Sequence, residues 1–414
     1  MSINTDEYIE QKKFLYGNIL KFIEDFDAND EDILYVLIEI MKPHELEQVL
    51  RIILSISDNH QRDEVFFDKI YKILLTLKDE IKQTYSNLDI FKIFQRNKKL
   101  LLFLIKNEII IYDESIIKTI LNEHEINGIK FCHFFLPEIK SFVDEETFKK
   151  IKDQLTEDEL NNYDEKRLLG ENDSYICELI RNDSIDEFVE YINRRNLSHS
   201  SEIKRSIFET NSFLNENYPT LIEYAAFFGS IQIFNYLRFN NVDMKPSLWF
   251  YSIHSKNAEL IHLLESSNIP LPNDSYELCL IESIKCHHND IGKYFEDNFI
   301  DDKNTQEIIE SSLQSYNYEF FPVKITENYI LLYLCQYRYL NLIDFWLEDK
   351  KEAIENYIQN NYPLLKKIFK TSNYNSIIRK AADEDRIDVV YYLLANSLCI
   401  NKKEFNKCRD LCTI

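Results

Sequence analysis

Apolar side chains return at steps of three and four along most of the chain, with polar residues filling the gaps. Leu15, Ile19, Phe22 and Phe26 mark one stripe of a helix. Residues 29–32 interrupt it, and Ile33, Val36, Leu37 and Ile40 set out a second. Pro43 separates that from a third through Leu46, Val49, Leu50, Ile53 and Leu54. A fourth runs through Phe66, Phe67, Ile70, Ile73, Leu74, Leu77 and Ile81. Alternation with a period of two, the mark of a half-buried strand, is absent over any useful length. The first half is therefore expected to be packed helices, as a bundle or a degenerate solenoid. Residues 97–111 have the look of a second helix and its loop, much like 258–271, so both arrangements stay open. Residues 147–171 are charge-rich, carry the capping box Thr156-x-x-Glu159 and close near Gly170. That places a boundary there, with a helical region over 1–165 and a repeat region over 166–414.

The second half is organised around residues 219–245, PTLIEYAAFFGSIQIFNYLRFNNVDMK. Leu221, Ile222, Ala225 and Ala226 fall at helical spacing, Gly229 breaks the pattern, and Ile231, Ile233, Phe234 and Leu237 resume it. This predicts two short helices and a tight turn, with alanines where the helices approach and Gly229 free to take positive φ. The text recurs at an offset of 27: Pro246, Ser247 and Leu248 follow Pro219, Thr220 and Leu221, and Leu260, Leu263 and Leu264 follow Ile233, Tyr236 and Leu237. Further anchors at Ile291, Leu342 and Val389 continue the series at steps of 31, 51 and 47. Units of this kind stack, because none can bury its apolar face alone. An earlier pair opens at Ser174, with Ile185, Phe188 and Ile192 on one face. A helix through Ile308, Ile309 and Leu313 is expected to end by Pro322. Residues 352–369 fit no register, and 399–414 are expected to cap the stack. The expected fold class is all-α, an α-solenoid of helical hairpins preceded by a helical N-terminal region.

The hairpin text resembles the ankyrin-repeat family. Leu221, Ala225-Ala226, Gly229-Ser230, Ile233 and Leu237 echo its motif, and Ala381-Ala382, Val389 and Leu393-Leu394 do so more faintly. Thr-Pro is inverted to Pro219-Thr220, Glu223 stands where the motif has histidine, and Asn240-Asn241 or Ser267-Asn268 replace the closing glycine. The chain also looks like the protist ankyrin proteins that place a helical region of unknown function ahead of the repeats, and the run from Ser206 to Asn211 fits that subset. The resemblance implies a non-enzymatic scaffold that binds protein partners.

Charge and motif content narrow the function classes. Asp and Glu number 71 against 48 Lys and Arg, a net charge of −23, which repels phosphate backbones and anionic membranes alike. The N-terminus is charged from residue 6 and shows no apolar leader core, and no run approaches the ~20 apolar residues of a membrane span. A cytoplasmic or nuclear location is expected, with the eight cysteines reduced. The five glycines, at 17, 128, 170, 229 and 292, are too scattered for a dinucleotide fingerprint, P-loop or nucleophile elbow. Cys279, Cys286, His287 and His288 cluster within ten residues, but their spacing suits no zinc finger, and His287-His288 fall in the interhelical turn, where histidine bonds the adjacent turn. His44-Glu45 and His124-Glu125 lack the second histidine of a zinc protease. Cys132-His133 and Cys408 have no inferable base. Trp249 and Trp346 fall on repeat helices, with Trp249 or Phe250 facing outward in one reading.

The expectation is thus a protein-interaction module with no catalytic residue, cofactor or metal. Its acidic surface would favour a basic protein surface or peptide. Residues out of register with the core would bind: Glu223, Phe227, Phe228, Phe250 and His254 on the first helices, and Asn241, Asp243, Lys245, Asn273 and Asp274 at the tips. The alternative is a two-part adaptor whose helical first region recruits cellular machinery while the repeats hold a client.

Overall fold

The computed structural model describes residues 5–24, 43–122, 131–301 and 305–321, with the single positions 333, 334, 337, 339 and 342. These residues form 22 α-helices and no named strand, with one isolated antiparallel bridge from Glu202 to Thr220. The expected helix through Ile33 and Ile40, His124, Trp346, Val389, Cys408 and the stretches 352–369 and 399–414 lie outside the described residues. Residues 14–319 make one compact unit, and residues 1–13 with 320–414 make another. Within the latter, the Phe321 and Tyr339 rings lie 5.4 Å apart, and Leu334 and Leu342 are buried.

Helix α1 (Thr5–Glu24) buries Leu15, Ile19 and Phe22 as its stripe requires. Pro43 opens the expected third helix, α2 (Pro43–Asn59), where its missing N–H is harmless in a first turn. The expected fourth helix is two, α3 (Glu64–Thr76) and α4 (Lys78–Thr84), parted at Leu77, whose N–H still reaches Ile73 O at 3.1 Å. Then come α5 (Asn87–Phe94), α6 (Lys98–Lys106) and α7 (Glu114–Asn122). Asn97 caps α6 by accepting from Leu100 N–H at 3.0 Å. Short helices α8 (Phe131–Phe134), α9 (Leu136–Ile139), α10 (Glu145–Lys152), α11 (Glu157–Leu160) and α12 (Tyr163–Leu169) complete the first half. The Thr156–Glu159 capping box forms at α11. Gly170 closes α12 at φ 71°, and its carbonyl accepts from both the N–H (3.1 Å) and the hydroxyl (2.6 Å) of Thr210. The charge-rich end of the first half is therefore fastened to the second.

In the second half, the described helices between residues 175 and 299 pair off in a row. Helices α13 (Tyr175–Arg181) and α14 (Ile185–Arg195) form the first pair, followed by α15 (Ser212–Asn217). Three pairs follow: α16 (Leu221–Phe228) with α17 (Ile231–Phe239), α18 (Leu248–His254) with α19 (Ala258–Ser266), and α20 (Glu277–Cys286) with α21 (Asn289–Phe299). Helix α22 (Gln306–Gln314) follows them. Each first helix packs on its own partner and on the next first helix, so α13, α16, α18, α20 and α22 lie side by side. The aligned anchors Ile233, Leu237, Leu260, Leu264, Ile291 and Phe295 are all buried. Trp249 is core, with its indole N–H pointing to Ile269 O at 3.4 Å, and Phe250 is half-buried.

One turn geometry recurs along the row. One of the first two residues after each first helix is left-handed: Asp183 (φ 48°), Gly229 (69°), Lys256 (53°), His287 (57°) and Tyr316 (56°). At four of these turns the next N–H reaches back five residues, as Ser184 to Leu179 O at 3.0 Å, Ser230 to Ala225 O at 2.9 Å, His288 to Ser283 O at 3.0 Å and Asn317 to Ser312 O at 2.9 Å. These bonds satisfy carbonyls that a helix end would leave open. Three of the second helices, α14, α17 and α19, are followed within two residues by Asn196, Asn241 and Asn268, at φ 51°, 57° and 51°. Asparagine is the side chain that enters this region most readily after glycine, so a chain with five glycines can still close these three units.

Candidate functional site

The first half sits on this row through α2, which packs against α20 and α15, and through the polar segment 58–63 formed by the end of α2 and the turn after it. That segment serves the carbonyl ends of the first helices. Gln61 donates to Phe227 O at 2.7 Å, Asn59 to Lys285 O at 3.1 Å, and the His60 Nε2 lies 2.9 Å from Cys286 O. Asn59 O in turn lies 2.8 Å from the His254 Nδ1. Buried Arg62 donates to Thr210 Oγ1 (2.8 Å), Thr210 O (2.7 Å) and His60 O (3.0 Å). It thereby clasps residues 206–211, a run buried throughout, in which Glu209 accepts from the Asn172 and Asn211 N–H groups. Burial lowers the Arg62 pKa and pushes the nearby Asp58 carboxyl up to about 6, against the pull of Arg62 and Asn97.

Where the turns of the α18/α19 and α20/α21 pairs meet this segment there is a pocket of about 260 Å³, lined by Glu24, His60, Phe66, His254, Lys256 and His288 among others. His60 stacks on Phe66 at 4.6 Å and meets His288 edge-on at 4.7 Å. The Nε2 of His288 points to His254 O at 3.4 Å, while its Nδ1 is buried without a hydrogen-bond partner. As expected for a histidine in the interhelical turn, His287 also reaches the adjacent turn, at Ser315 O, 2.8 Å away. Burial holds His60 down to about 3, His287 to about 4, and His288 well below the usual imidazole range. At neutral pH these rings carry lone pairs. At the mouth, Glu24 is paired with Lys256, both carboxylate oxygens lying 3.0 Å from the ammonium.

A second cluster joins His254, Glu282 and Cys286. Both nitrogens of His254 are engaged, with Asn59 O at 2.8 Å and Glu282 Oε1 at 2.8 Å, so neither is turned to the Cys286 sulfur as a base. Burial raises the Cys286 thiol pKa well above its usual value, and the sulfur is protonated and inert. This cluster is not assembled for nucleophilic attack. The Cys132-His133 pair is likewise buried, with His133 Nε2 3.1 Å from Gln154.

The expected binding residues divide. Asn241, Asp243, Lys245, Asn273 and Asp274 are exposed, at the same place in consecutive units. Phe228 and Phe250 are half-buried. Glu223, Phe227 and His254, expected to face outward, are buried. Glu223 completes a capping box with Thr220, at 2.8 Å from its N–H, and also accepts from the Ser247 hydroxyl. Phe227 and His254 lie beneath Phe213 of α15, whose ring stacks on His254 at 3.9 Å, while Gln61 and Asn59 of the first half bond to Phe227 O and His254 Nδ1. Thr220-x-x-Glu223 signalled the cap within the sequence itself. No local signal pointed to Glu24, His60, Gln61 or Arg62, whose roles depend on contacts across 148 to 232 residues. Sequence spacing also missed Phe239, which is 73% exposed beside the Asn241 tip, with Arg238 over its ring at 4.9 Å.

No model of a known family matches the chain, and neither does any curated protein or solved structure. Among the described residues no helix is long and apolar enough to cross a membrane.

Proposed function

We propose that the chain is a non-enzymatic interaction protein, a divergent ankyrin-type stack that presents an acidic edge of loop tips to a basic protein surface or peptide. One observation carries the reading: consecutive units hold their core positions buried and offer Asn241, Asp243, Lys245, Asn273 and Asp274 to solvent at equivalent places. Such an edge can vary without disturbing the stack. Phe239 adds an exposed aromatic anchor to the same edge. The net charge of −23 selects against nucleic acid and favours a cationic partner. The face at the histidine pocket is excluded as a docking surface for the partner, since the chain's own residues 58–63 and Phe213 lie on it.

Charge reversal tests the proposal. Titration of a labelled Lys/Arg-rich peptide into the protein should show binding that weakens with added salt. Asp243→Lys with Asp274→Lys should reduce affinity at least about tenfold, with unchanged far-UV circular dichroism. Equal binding by the parent and the double variant would remove these tips from the site.

A further inference from the structure

We infer that Glu24, His60 and His288 form a binding site for a divalent transition-metal ion, zinc being the best match, which clips the end of α1 and the 58–63 segment to the turn after α20. One ligand atom from each of the three lies within 4.8 Å of the other two. A zinc ion about 2.1 Å from each ligand needs separations of about 3.4 Å, within reach of small side-chain movements.

The histidines are prepared for such a role by their other nitrogens. The Nε2 of His60 is placed to donate to Cys286 O at 2.9 Å, and that of His288 to His254 O at 3.4 Å. Backbone carbonyls that hold one N–H in this way fix the tautomer and leave Nδ1 with its lone pair, the outer support that metal-bound histidines need. His288 supplies the second, independent sign. Its ring is 1% exposed, yet Nδ1 has no partner, a state that buried polar atoms rarely tolerate unless something else occupies the position. Two imidazoles and one carboxylate suit zinc, leaving a coordination position for water or a further ligand.

Without metal, the Lys256 ammonium balances Glu24. Lys256 is 37% exposed at its side chain and can swing out when a doubly charged ion takes over. The neighbouring cluster of His254, Glu282 and Cys286 is the weaker candidate, since both His254 nitrogens are engaged and the thiol is buried and protonated. The clip stands independently of the partner proposed above, because it draws on none of the tip residues.

The test uses the full-length, tag-free protein in chelator-treated buffer, titrated with Zn²⁺ by calorimetry and with Co²⁺ by visible absorption. One Zn²⁺ per chain is expected, together with the d–d bands of Co²⁺ at low coordination number and a raised thermal midpoint. Glu24→Gln and His288→Gln should each weaken Zn²⁺ binding by more than the roughly tenfold loss that follows removal of an outer partner. Lys256→Met should strengthen it several-fold. His262→Gln, in an exposed His–Glu pair elsewhere at 3.1 Å, should change nothing. Glu24 and Lys256 lie at the pocket mouth, so their variants keep the test decisive if His288→Gln fails to fold. Absence of Zn²⁺ binding, or binding indifferent to Glu24→Gln and Lys256→Met, overturns the site.

Discussion

At the scale of single residues, the molecule joins its parts by matching side-chain donors to helix-end carbonyls. Arg62 is the strongest case. Replacing it with Ala would leave Thr210 O and His60 O without this donor and Asp58 without the cation that lowers its pKa most. Arg62→Ala should therefore cost about 3 to 5 kcal/mol in urea unfolding, and a loss below about 1 kcal/mol would mean that the clasp is ornamental. Glu282 gives a pH signature. Burial alone would raise its pKa from 4.5, but the hydrogen bond and charge of His254, with Lys285, hold it at about 2. A carboxyl depressed in the folded state contributes its stability in full above the unfolded value and loses it as pH falls through the folded one. Stability should thus decline as the pH falls from 4.5 toward 2, and Glu282→Gln should flatten that part of the curve. An unchanged slope would show that the ion pair is not made. None of these long-range partners was legible in the sequence, where 58–63 reads only as a polar turn between two apolar helices.

Elements were far more legible. The stripe of α1, the turn at Gly229, the 27-residue offset and the caps at Thr156 and Gly170 could be read directly because each rests on local periodicity or φ preference. Residues 221–237 and 248–264 lie side by side through α16 and α18, as repetition of the text required. Local reasoning failed where a neighbour decided the outcome. Phe227 and His254 look outward until Phe213 and the segment 58–63 cover them. Leu237 tests the row at this scale. It is fully buried on α17, so Leu237→Ala should leave a cavity and cost ~2 to 5 kcal/mol, measured by chemical denaturation. A change below ~0.5 kcal/mol would show that Leu237 does not hold the units together.

At the scale of the whole molecule, residues on either side of 165 belong to one compact unit, 14–319. Composition suggested a boundary there because charge-rich stretches ending in glycine often separate domains. Here Gly170 is bonded to Thr210, and Arg62 reaches the same residue from the first half. The first half thus acts as a cover that seals the turn edge of the row and leaves the opposite tips free. Unfolding cooperativity tests that account most directly. With Trp346→Phe, buried Trp249 becomes the sole tryptophan and reports on the row, while Leu100→Ala weakens α6, far from it in sequence. The account predicts that Leu100→Ala lowers the urea midpoint seen by Trp249 fluorescence as much as that seen by far-UV circular dichroism. A Trp249 transition that stays at the parent midpoint while the helical signal moves would contradict it.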